Sequence, residues 1–398
     1  MALQDVSRDV GPPKIAIFND PKIRGWVYQV LLLAVVVYFA YTGVDNMFDN
    51  LRKAHIASGF GFLGATSGFA ISQSLIYYDQ GQSSYFDVYI VGLLNTLLVS
   101  VLGVIFATVL GFIVGVARLS TNFIVRGVAT AYVEVFRNIP LLLHIFIWYF
   151  GVLRLLPQPR HSLHIGNFSL LNNRGLFVPR PEFGSLFWIT VAVFLIGVVG
   201  AYGLSRWARG SQMRTGRRVP TLWPIAALLI VLPLIAFLAS GSPLHWDFPV
   251  AGTFRPRGGV TILPELISLL LALSTYTAAF IAEIVRAGIL AVSKGQTEAA
   301  YSLGLRPRPT LRLIIIPQAL RVIIPPLTSE FLNLTKNSSL AVAIAYPDLV
   351  SVFAGTALNQ TGQAVEILLM TMLTYLAISL LTSAGMNWYN AKMALVER

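Results

Sequence analysis

The chain of 398 residues contains no cysteine and few charged residues. The missing thiols exclude disulfides and cysteine chemistry, although they assign no cellular compartment. Charged residues make up 12% of the chain, whereas a typical soluble domain has roughly 25%. Hydrophobic residues make up 56% of it, and the mean hydropathy is +0.70. This balance predicts a membrane protein.

Long apolar runs predict how the chain crosses the membrane. A helix needs about 20 apolar residues to span a bilayer. The runs are continuous rather than alternating, so we expect helices and an all-α fold. We expect eight spans, at residues 26–44, 88–117, 123–153, 186–204, 222–238, 266–291, 322–349 and 367–386. The first run is too long for a signal peptide and lacks a small-x-small cleavage site, so we expect a retained anchor.

The net charge of +12 could indicate a nucleic-acid-binding protein, but its distribution follows the expected membrane topology. With both termini in the cytoplasm, two cytoplasmic loops are rich in basic residues, as the positive-inside rule requires. The basic residues of the cytoplasmic loops and termini are Lys14, Lys22, Arg24, Arg206, Arg209, Arg214, Arg217, Arg218, Lys294, Arg306, Arg308, Arg312, Arg321, Lys392 and Arg398. The opposite loops have fewer basic residues over longer stretches. We therefore predict a multi-pass membrane protein.

Differences in local composition divide the chain into four parts. Residues 1–87 hold the anchor helix and a periplasmic loop, and residues 88–156 hold the first part of a helical core. Residues 157–261 hold two plain apolar helices and polar loops, which is typical of an insertion. Residues 262–398 hold the second part of the core. An insertion with two crossings preserves the topology on either side of it.

Several short motifs have structural rather than chemical explanations. The "GFGFLG" at 59–64 matches a dinucleotide-binding pattern but lacks the strand and helix that the pattern needs, so we expect flexible or closely packed backbone. The "GFIVG" at 111–115 predicts close helix packing. His161 and His164 have no evident third ligand, so we expect no metal site. No phosphate-binding loop of the form G-x-x-x-x-G-K-[ST] occurs, so any ATP must be bound by another polypeptide.

Ionisable residues inside the spans are more informative, because a charge at the bilayer centre usually faces a partner or a cavity. Glu134 and Arg137, like Glu283 and Arg286, are spaced so that each pair can neutralise itself on one helix face. Lys336 has no acidic residue three or four positions away. Candidate residues of a substrate pathway are Lys336, Asn337, Ser338, Ser339, Glu283 and Glu330.

Residues 293–320 predict a helix–turn–helix, which we call the elbow. Ser293 and Gln296 have the spacing of a capping box, which starts a helix at about Lys294. Gly304 lies where a left-handed turn would end that helix. Pro309 suits the first turn of a second helix. Ala299 and Ala300 would give the first helix a shallow face that another protein can approach.

The elbow sequence "EAAYSLGLRPRPTLRLIIIP" resembles the EAA loop of binding-protein-dependent ABC importer permeases. The matching residues are Glu298, Ala299, Ala300, Gly304, Ile314, Ile316 and Pro317. Segments such as "YVEVFRNIPLLLHIFIWYFG" and "IPPLTSEFLNLTKNSSLA" are similar to those of polar amino-acid permeases. The anchor helix and the insertion resemble the larger permease of general L-amino-acid uptake systems.

This resemblance implies a type I importer permease of the bacterial inner membrane that carries no catalytic site or cofactor of its own. The expected partners are ATPase subunits that bind ATP and Mg, a second permease, a periplasmic amino-acid-binding protein and an L-amino acid. It also implies that Glu298, Ala299, Ala300, Gly304, Arg306 and Arg308 couple the chain to the ATPase. Related permeases carry aspartate where this chain has Asn337, which implies weaker selection by side-chain charge.

Two other classes of protein compete with this interpretation. A secondary transporter driven by an ion gradient would usually show internal repeats and broken helices around charges in the middle of the membrane. No repeat is evident, and the elbow would have no explanation. An intramembrane enzyme would need paired catalytic groups at membrane depth, and no Ser/His or paired Asp constellation occurs. We therefore expect a transport subunit.

Overall fold

The computed structural model describes residues 21–53, 58–166, 168–217, 219–253 and 255–393. The sequence predictions that rest on Lys14, Arg218, Arg398 and the termini lie outside the described residues. The α-helices are α1 Pro21–Lys53, α2 Tyr85–Ala117, α3 Phe123–Asn138, α4 Leu141–Phe146, α5 Phe187–Thr215, α6 Leu222–Ala226, α7 Leu232–Ala239, α8 Pro264–Leu290, α9 Lys294–Ser302, α10 Pro307–Thr310, α11 Ile316–Asn337, α12 Leu358–Thr361 and α13 Ala364–Met393.

Short helical segments of other types connect several of these α-helices. The π-helical segments are Ile147–Val152, Ala227–Val231, Leu311–Ile315 and Val350–Ala357. The 3-10 segments are Phe60–Gly64, Leu153–Leu155, Pro159–His161 and Ser338–Ile344. The strands are β1 Leu163–Ile165, β2 Ser169–Asn172, β3 Gly175–Val178, β4 Arg180–Phe183, β5 Leu244–Asp247 and β6 Val260–Ile262.

Seven helices of the described chain are long and apolar enough to cross a membrane, or eight if a bent pair counts as one span. The bent pair corrects the continuous span expected at 123–153. The chain turns by 107° between α3 and the helix that follows it. Ile139 has extended backbone (φ −96°, ψ 130°), as expected for a residue before a proline, here Pro140.

The span expected at 322–349 also has different bounds. The helical path begins at Pro307, runs through the π-helical segment and α11, and continues to Ile344. Ala345 then ends it with a left-handed backbone, at φ +57°. The second helix of the elbow and the span are therefore one continuous helical path.

The packing of α2 against α8 forms the centre of the fold. Gly111 faces α8 so closely that a β-carbon there would lie 2.6 Å from the β-carbon of Ile281. A β-carbon at Gly115 would lie 2.8 Å from the carbonyl oxygen of Ala282. Small residues let two membrane helices approach in this way. The close packing predicted from "GFIVG" is confirmed.

The segment that follows α1 packs onto the core. Phe62 stacks against Phe353, with ring centroids 6.3 Å apart, and lies 6.2 Å from the ring of Tyr85. The backbone N–H of Gly59 donates a hydrogen bond to the Glu366 carboxylate. The "GFGFLG" motif is therefore a packed surface segment, as its packing interpretation predicted.

The insertion adds a small antiparallel sheet to one end of the helical core. Its strand order is β1-β2-β3-β6, and β4 pairs with β5. Leu176 of β3 lies opposite Ile262 of β6, and β6 leads directly into α8. The loops before α5 and after α7 are therefore bonded together on the same side. This matches an insertion with an even number of crossings.

Candidate functional site

The first helix of the elbow begins as predicted but without the predicted cap. Helix α9 starts at Lys294, and Ser293 before it has extended backbone. No side-chain hydrogen bond from Ser293 caps the helix. The Gln296 side chain instead accepts a hydrogen bond from Gln318, with Nε2 and Oε1 3.3 Å apart. The prediction of a capping box is therefore wrong, and Gln296 ties α9 to α11.

The turn at Gly304 has the geometry that the sequence predicted. Gly304 has a left-handed backbone with φ +77°. Its N–H donates to the Tyr301 carbonyl at 2.9 Å, and the N–H of Leu305 donates to the Ala300 carbonyl at 3.1 Å. These two bonds form a Schellman motif, which reverses the chain after a helix. A β-carbon at Gly304 would meet no atom within 4 Å, so the backbone angle alone favours glycine here.

The two alanines of the elbow have different environments. Ala300 is only 1% exposed, because the second half of the elbow covers it. The prediction that Ala300 faces a partner is wrong: its small size allows α9 to pack closely on its own chain. Ala299 and Glu298 are exposed, and so are Arg306 and Arg308. Tyr301 and Leu303 are 50% and 82% exposed and add apolar area to this outer face.

The elbow has helix on both sides. Helix α8 ends at Leu290, only a few residues before α9 begins. Beyond the turn, α10 continues through the π-helical segment Leu311–Ile315 into α11. Pro317 lies in the first turn of α11. Proline has no backbone N–H, so it cannot donate a hydrogen bond to the π-helical turn before it. A displacement of the elbow would therefore act on α8 and α11 without an intervening flexible loop.

Ion pairs fix the end of α8 that lies nearest the elbow. Glu283 contacts Arg118 at the end of α2. It also contacts Arg286, with Oε1 and Nη2 2.5 Å apart. The predicted pair of Glu283 and Arg286 is therefore confirmed. Because two arginines already engage its carboxylate, Glu283 is a tie between α2 and α8. Its assignment to the substrate pathway remains a prediction.

The second predicted ion pair does not form among the described residues. Glu134 and Arg137 have no nitrogen and oxygen atoms within the 4.0 Å of a salt bridge. The Arg137 guanidinium instead lies over the Phe280 ring, 5.2 Å from its centroid. Arg137 also acts electrostatically on Glu330 of α11. Helix α3 thus contacts α8 through this arginine, and the expected neutral pair within α3 is wrong.

The four residues Lys336 to Ser339 differ in their access to solvent. Lys336 is exposed and Asn337 is partly exposed. Ser338 is 1% exposed, and its hydroxyl donates to the Thr335 carbonyl at 2.7 Å. Ser339 donates to the Lys336 carbonyl at 2.7 Å. The expectation that Ser338 offers a hydrogen bond to a passing ligand is therefore wrong, whereas Lys336 and Asn337 remain accessible.

A buried polar cluster beside this segment was not predicted from the sequence. The Asn95 side chain donates to the carbonyl oxygens of Gln73 and Pro347, at 2.9 and 2.8 Å. The Leu349 N–H donates to the Thr96 hydroxyl at 3.0 Å. These bonds hold the chain after α11 against α2. The adjacent polar residues Asn95 and Thr96 in an otherwise apolar span were the available signal.

The cluster extends to a buried carboxylate. Asp348 is 1% exposed, and one carboxylate oxygen accepts from the Ser351 N–H at 2.9 Å. The other accepts from the Tyr375 hydroxyl at 3.4 Å. Asp348 therefore caps the helical segment that follows it and joins it to α13. These bonds position the segment between α11 and α13.

Comparison with known proteins identifies the family. The family described as "Binding-protein-dependent transport system inner membrane component" matches residues 211–395. Over 382 residues, the chain is 54% identical to the putative amino-acid ABC transporter permease protein YhdX of Escherichia coli, with 96% of this chain and 97% of that protein covered. The chain belongs to this family. It is a permease subunit of an ABC importer and a multi-pass protein of the inner membrane.

Two further permeases match nearly the whole chain. The general L-amino acid transport system permease protein AapQ of Rhizobium johnstonii is 52% identical over 379 residues, covering 95% of this chain and 94% of that protein. The glutamate/glutamine/aspartate/asparagine transport system permease protein BztB of Rhodobacter capsulatus is 42% identical over 423 residues, covering 97% and 99%. As a permease, the chain is a transport component rather than an enzyme, and the predicted type I importer fold is confirmed.

Proposed function

We propose that this permease conducts a broad range of L-amino acids into the cell. The names of three relatives that match its full length support amino acids as the substrate, and one of those names specifies general L-amino acids. Asn337 supports breadth, because a neutral side chain beside Lys336 does not repel anionic substrates. The observation that supports a transport role is the elbow, which connects two spans to an exposed face.

The elbow is the docking element for an ATPase subunit. Its outer face combines exposed Glu298 and Ala299 with the apolar Tyr301 and Leu303. Charged and apolar groups side by side are typical of a surface that binds another protein. The ATPase binds ATP and Mg, a second permease completes the pathway, and a periplasmic binding protein delivers the amino acid.

The elbow transmits force as a lever. A rigid-body movement of the ATPase displaces α9, and the Schellman turn at Gly304 passes the displacement to α10 and α11. Helix α8 moves with α9, and Glu283 passes that motion to α2 through Arg118. Rigid-body movements of packed helices are a common way to switch a protein between two states. Alternating access follows when α2, α8 and α11 move together.

The substrate passes the accessible end of α11. The Lys336 ammonium contacts the α-carboxylate that all amino acids share, and Asn337 supplies a neutral hydrogen-bonding group. Glu330 lies almost two helical turns earlier, and Arg137 of α3 interacts with it electrostatically. The elbow and both termini face the cytoplasm, and the sheet of the insertion faces the periplasm.

Co-purification tests the elbow. A tagged chain with Ala299→Trp should enter the membrane normally but recover less ATPase, because Ala299 is exposed on the docking face. Transport of every amino acid should fall in parallel. Phe123→Trp is a matched control, since Phe123 is an exposed residue of α3 outside the elbow. Unchanged ATPase recovery and transport in Ala299→Trp would remove the elbow's outer face from the mechanism.

A further inference from the structure

A polar cavity lies between the insertion and the core, at the end of α8 opposite the elbow. We call it the vestibule; it has a volume of about 800 Å³. The side chains used in the argument below are Tyr149, Arg154, Asn173, Arg174, Arg255 and Glu265. The 27 residues of α8 separate the vestibule from the elbow, a distance of roughly 40 Å at 1.5 Å per residue. The vestibule therefore opens on the face expected to be periplasmic.

Hydrogen bonds and close backbone packing fix one wall of the vestibule. Asn172 is fully buried. Its side-chain Nδ2 donates to the Ser162 hydroxyl at 2.9 Å, and its Oδ1 accepts from the Arg174 backbone N–H at 2.8 Å. At Gly175, φ is +123°, and a β-carbon would clash with the Ile262 carbonyl oxygen. The turn between β2 and β3 is thus pressed against the start of α8. This contact fixes the backbone of Arg174 at the cavity.

The charges of the vestibule favour a small anion. Arg154, Arg174 and Arg255 contribute three guanidinium groups, whereas Glu265 is the one carboxylate among the lining residues. Arginine presents several N–H groups in a plane that matches a carboxylate. Asn173 also lines the cavity, although its side-chain oxygen is buried.

The single carboxylate, Glu265, limits the chemical class of the ligand further. Glu265 is fixed by the Tyr149 hydroxyl, 2.9 Å from its Oε1 atom. A group with both a carboxylate and an ammonium can satisfy the arginines and Glu265 in one cavity. An acidic protein surface would place its carboxylates against Glu265 without a compensating cation. The volume also lies within the range of about 300–1,000 Å³ that is usual for small-molecule sites.

We propose that the vestibule binds the free amino acid as a zwitterion before it enters the membrane pathway. The arginines bind the α-carboxylate, and Glu265 binds the α-ammonium. The side chain of the bound amino acid points toward the open volume, so amino acids of many sizes are accepted. This inference rests on the proposed amino-acid transport and gives the insertion a role: it supplies Asn173, Arg174 and Arg255.

The absence of native cysteine allows a direct test. Ser72 is an exposed residue that lines the vestibule, so Ser72→Cys would give the permease a single reactive thiol. The complete complex with its ATPase and companion permease is placed in nanodiscs, and alkylation by N-ethylmaleimide is timed. L-Glutamine should slow the reaction about tenfold at saturation. L-Glutaminamide, in which an amide replaces the α-carboxylate, should leave the rate unchanged.

Charge variants assign the binding to the arginines. In the Ser72→Cys background, Arg174→Gln should raise the L-glutamine concentration needed for half-protection by about tenfold or more, the effect of one lost charge-assisted hydrogen bond. The main-chain contact between Arg174 and Asn172 is independent of the guanidinium, so this variant should fold. Arg160→Gln is the control, because Arg160 is an exposed residue of the same insertion but does not line the vestibule; it should not change protection.

Three results would overturn the inference. One is equal protection by L-glutamine and L-glutaminamide, or none by either. Another is protection by the unliganded binding protein alone, which would make the vestibule a protein-docking surface. The last is a Ser72→Cys thiol that never reacts, which would exclude an open cavity. If amino-acid uptake persists in any of these cases, the proposed transport function survives; loss of uptake of all amino acids by the unmodified complex would instead refute that function.

Discussion

At the scale of single residues, this permease places its special conformations where the chain changes direction. Gly304 and Ala345 both have left-handed backbone, one in the elbow and the other after α11. Glycine adopts this conformation without strain, whereas alanine does so at a cost of roughly 1–2 kcal/mol. One helical path runs from α10 to the 3-10 segment Ser338–Ile344. Backbone geometry at Gly304 and Ala345, rather than large side chains, determines where this path begins and ends.

Replacing Gly304 should uncouple the permease from its ATPase. Gly304→Val should strain the turn by about 1–2 kcal/mol or more, because a β-branched residue disfavours a positive φ. We expect normal membrane insertion with reduced transport and reduced substrate-stimulated ATP hydrolysis. Gly304→Asn is the matched variant, since asparagine tolerates the left-handed region. If Val and Asn reduce transport equally, the φ angle of Gly304 is not the reason for its role.

Replacing Lys336 should weaken transport of all amino acids alike. A charge-assisted hydrogen bond contributes roughly 1.5–3 kcal/mol, so Lys336→Met should lower uptake about tenfold or more. Asn337→Asp should instead disfavour glutamate and aspartate relative to arginine and lysine. Competition assays with radiolabelled amino acids give both results. If Lys336 only snorkels toward an interface and anchors its helix, both variants should transport every amino acid at the wild-type rate and in the wild-type proportions.

At the scale of elements, small residues and prolines determine how the helices meet. The closest approach of α2 and α8 depends on Gly111 and Gly115. Pro140 separates α3 from α4, whereas Pro325 and Pro326 lie inside α11 without ending it. The sequence shows the prolines but not which of them break a helix, since neighbouring helices can satisfy the freed carbonyl groups in a membrane. For this reason the sequence predicted a continuous helix at 123–153, whereas the structure has a bent pair of helices.

A large side chain at the α2–α8 contact should destabilise the core. Gly111→Leu should cost about 1–3 kcal/mol through overpacking, because its β-carbon would already overlap Ile281. Thermal unfolding in detergent, followed by loss of monodisperse protein, measures the effect. Gly127→Leu provides the control, since Gly127 of α3 is exposed with no atom within 4 Å of an added β-carbon. Equal stability of the two variants would contradict the tight packing.

The predictability of the site differs between its local and its long-range parts. The bounds of α9 and the turn at Gly304 follow from local backbone preferences, so residues 293–304 were largely predictable. The burial of Ala300 and Ser338 was not, because it depends on packing against residues that the local sequence does not specify. The same holds for Glu283: its partner Arg286 is one turn away and was predicted, whereas Arg118 lies 165 residues earlier.

At the scale of the whole molecule, the two ends of α8 carry different tasks. The elbow continues from one end, and the insertion's sheet is bonded to the other through β3 and β6. The division of the chain at residues 87, 156 and 261 remains a prediction from composition. However, β6 at Val260–Ile262 crosses the last of these boundaries, so the insertion and the second part of the core share a strand.

Thiol labelling should show which end faces the cytoplasm. Gln212 is an exposed residue near the end of α5, and Gln212→Cys should resist an impermeant maleimide in intact cells but react after permeabilisation. Asn173→Cys, on the turn between β2 and β3, should react in intact cells. The reverse pattern would invert the proposed orientation. Because the chain has no native cysteine, each signal comes from a single position.

The contact between α2 and α8 also has a consequence during biosynthesis. The 146 residues 118–263 separate the two helices in the chain, and a ribosome making about 5–20 residues per second needs roughly 7–30 s to produce them. During this interval α2 lies in the membrane with its glycine face uncovered. The hydrogen bond from Asn95 to the Pro347 carbonyl forms later still, because Pro347 follows α8 in the chain. The hairpin of α5 with α6 and α7 is complete before α8 exists. The nascent permease therefore passes through a long-lived stage in which its periphery is formed and its centre is not.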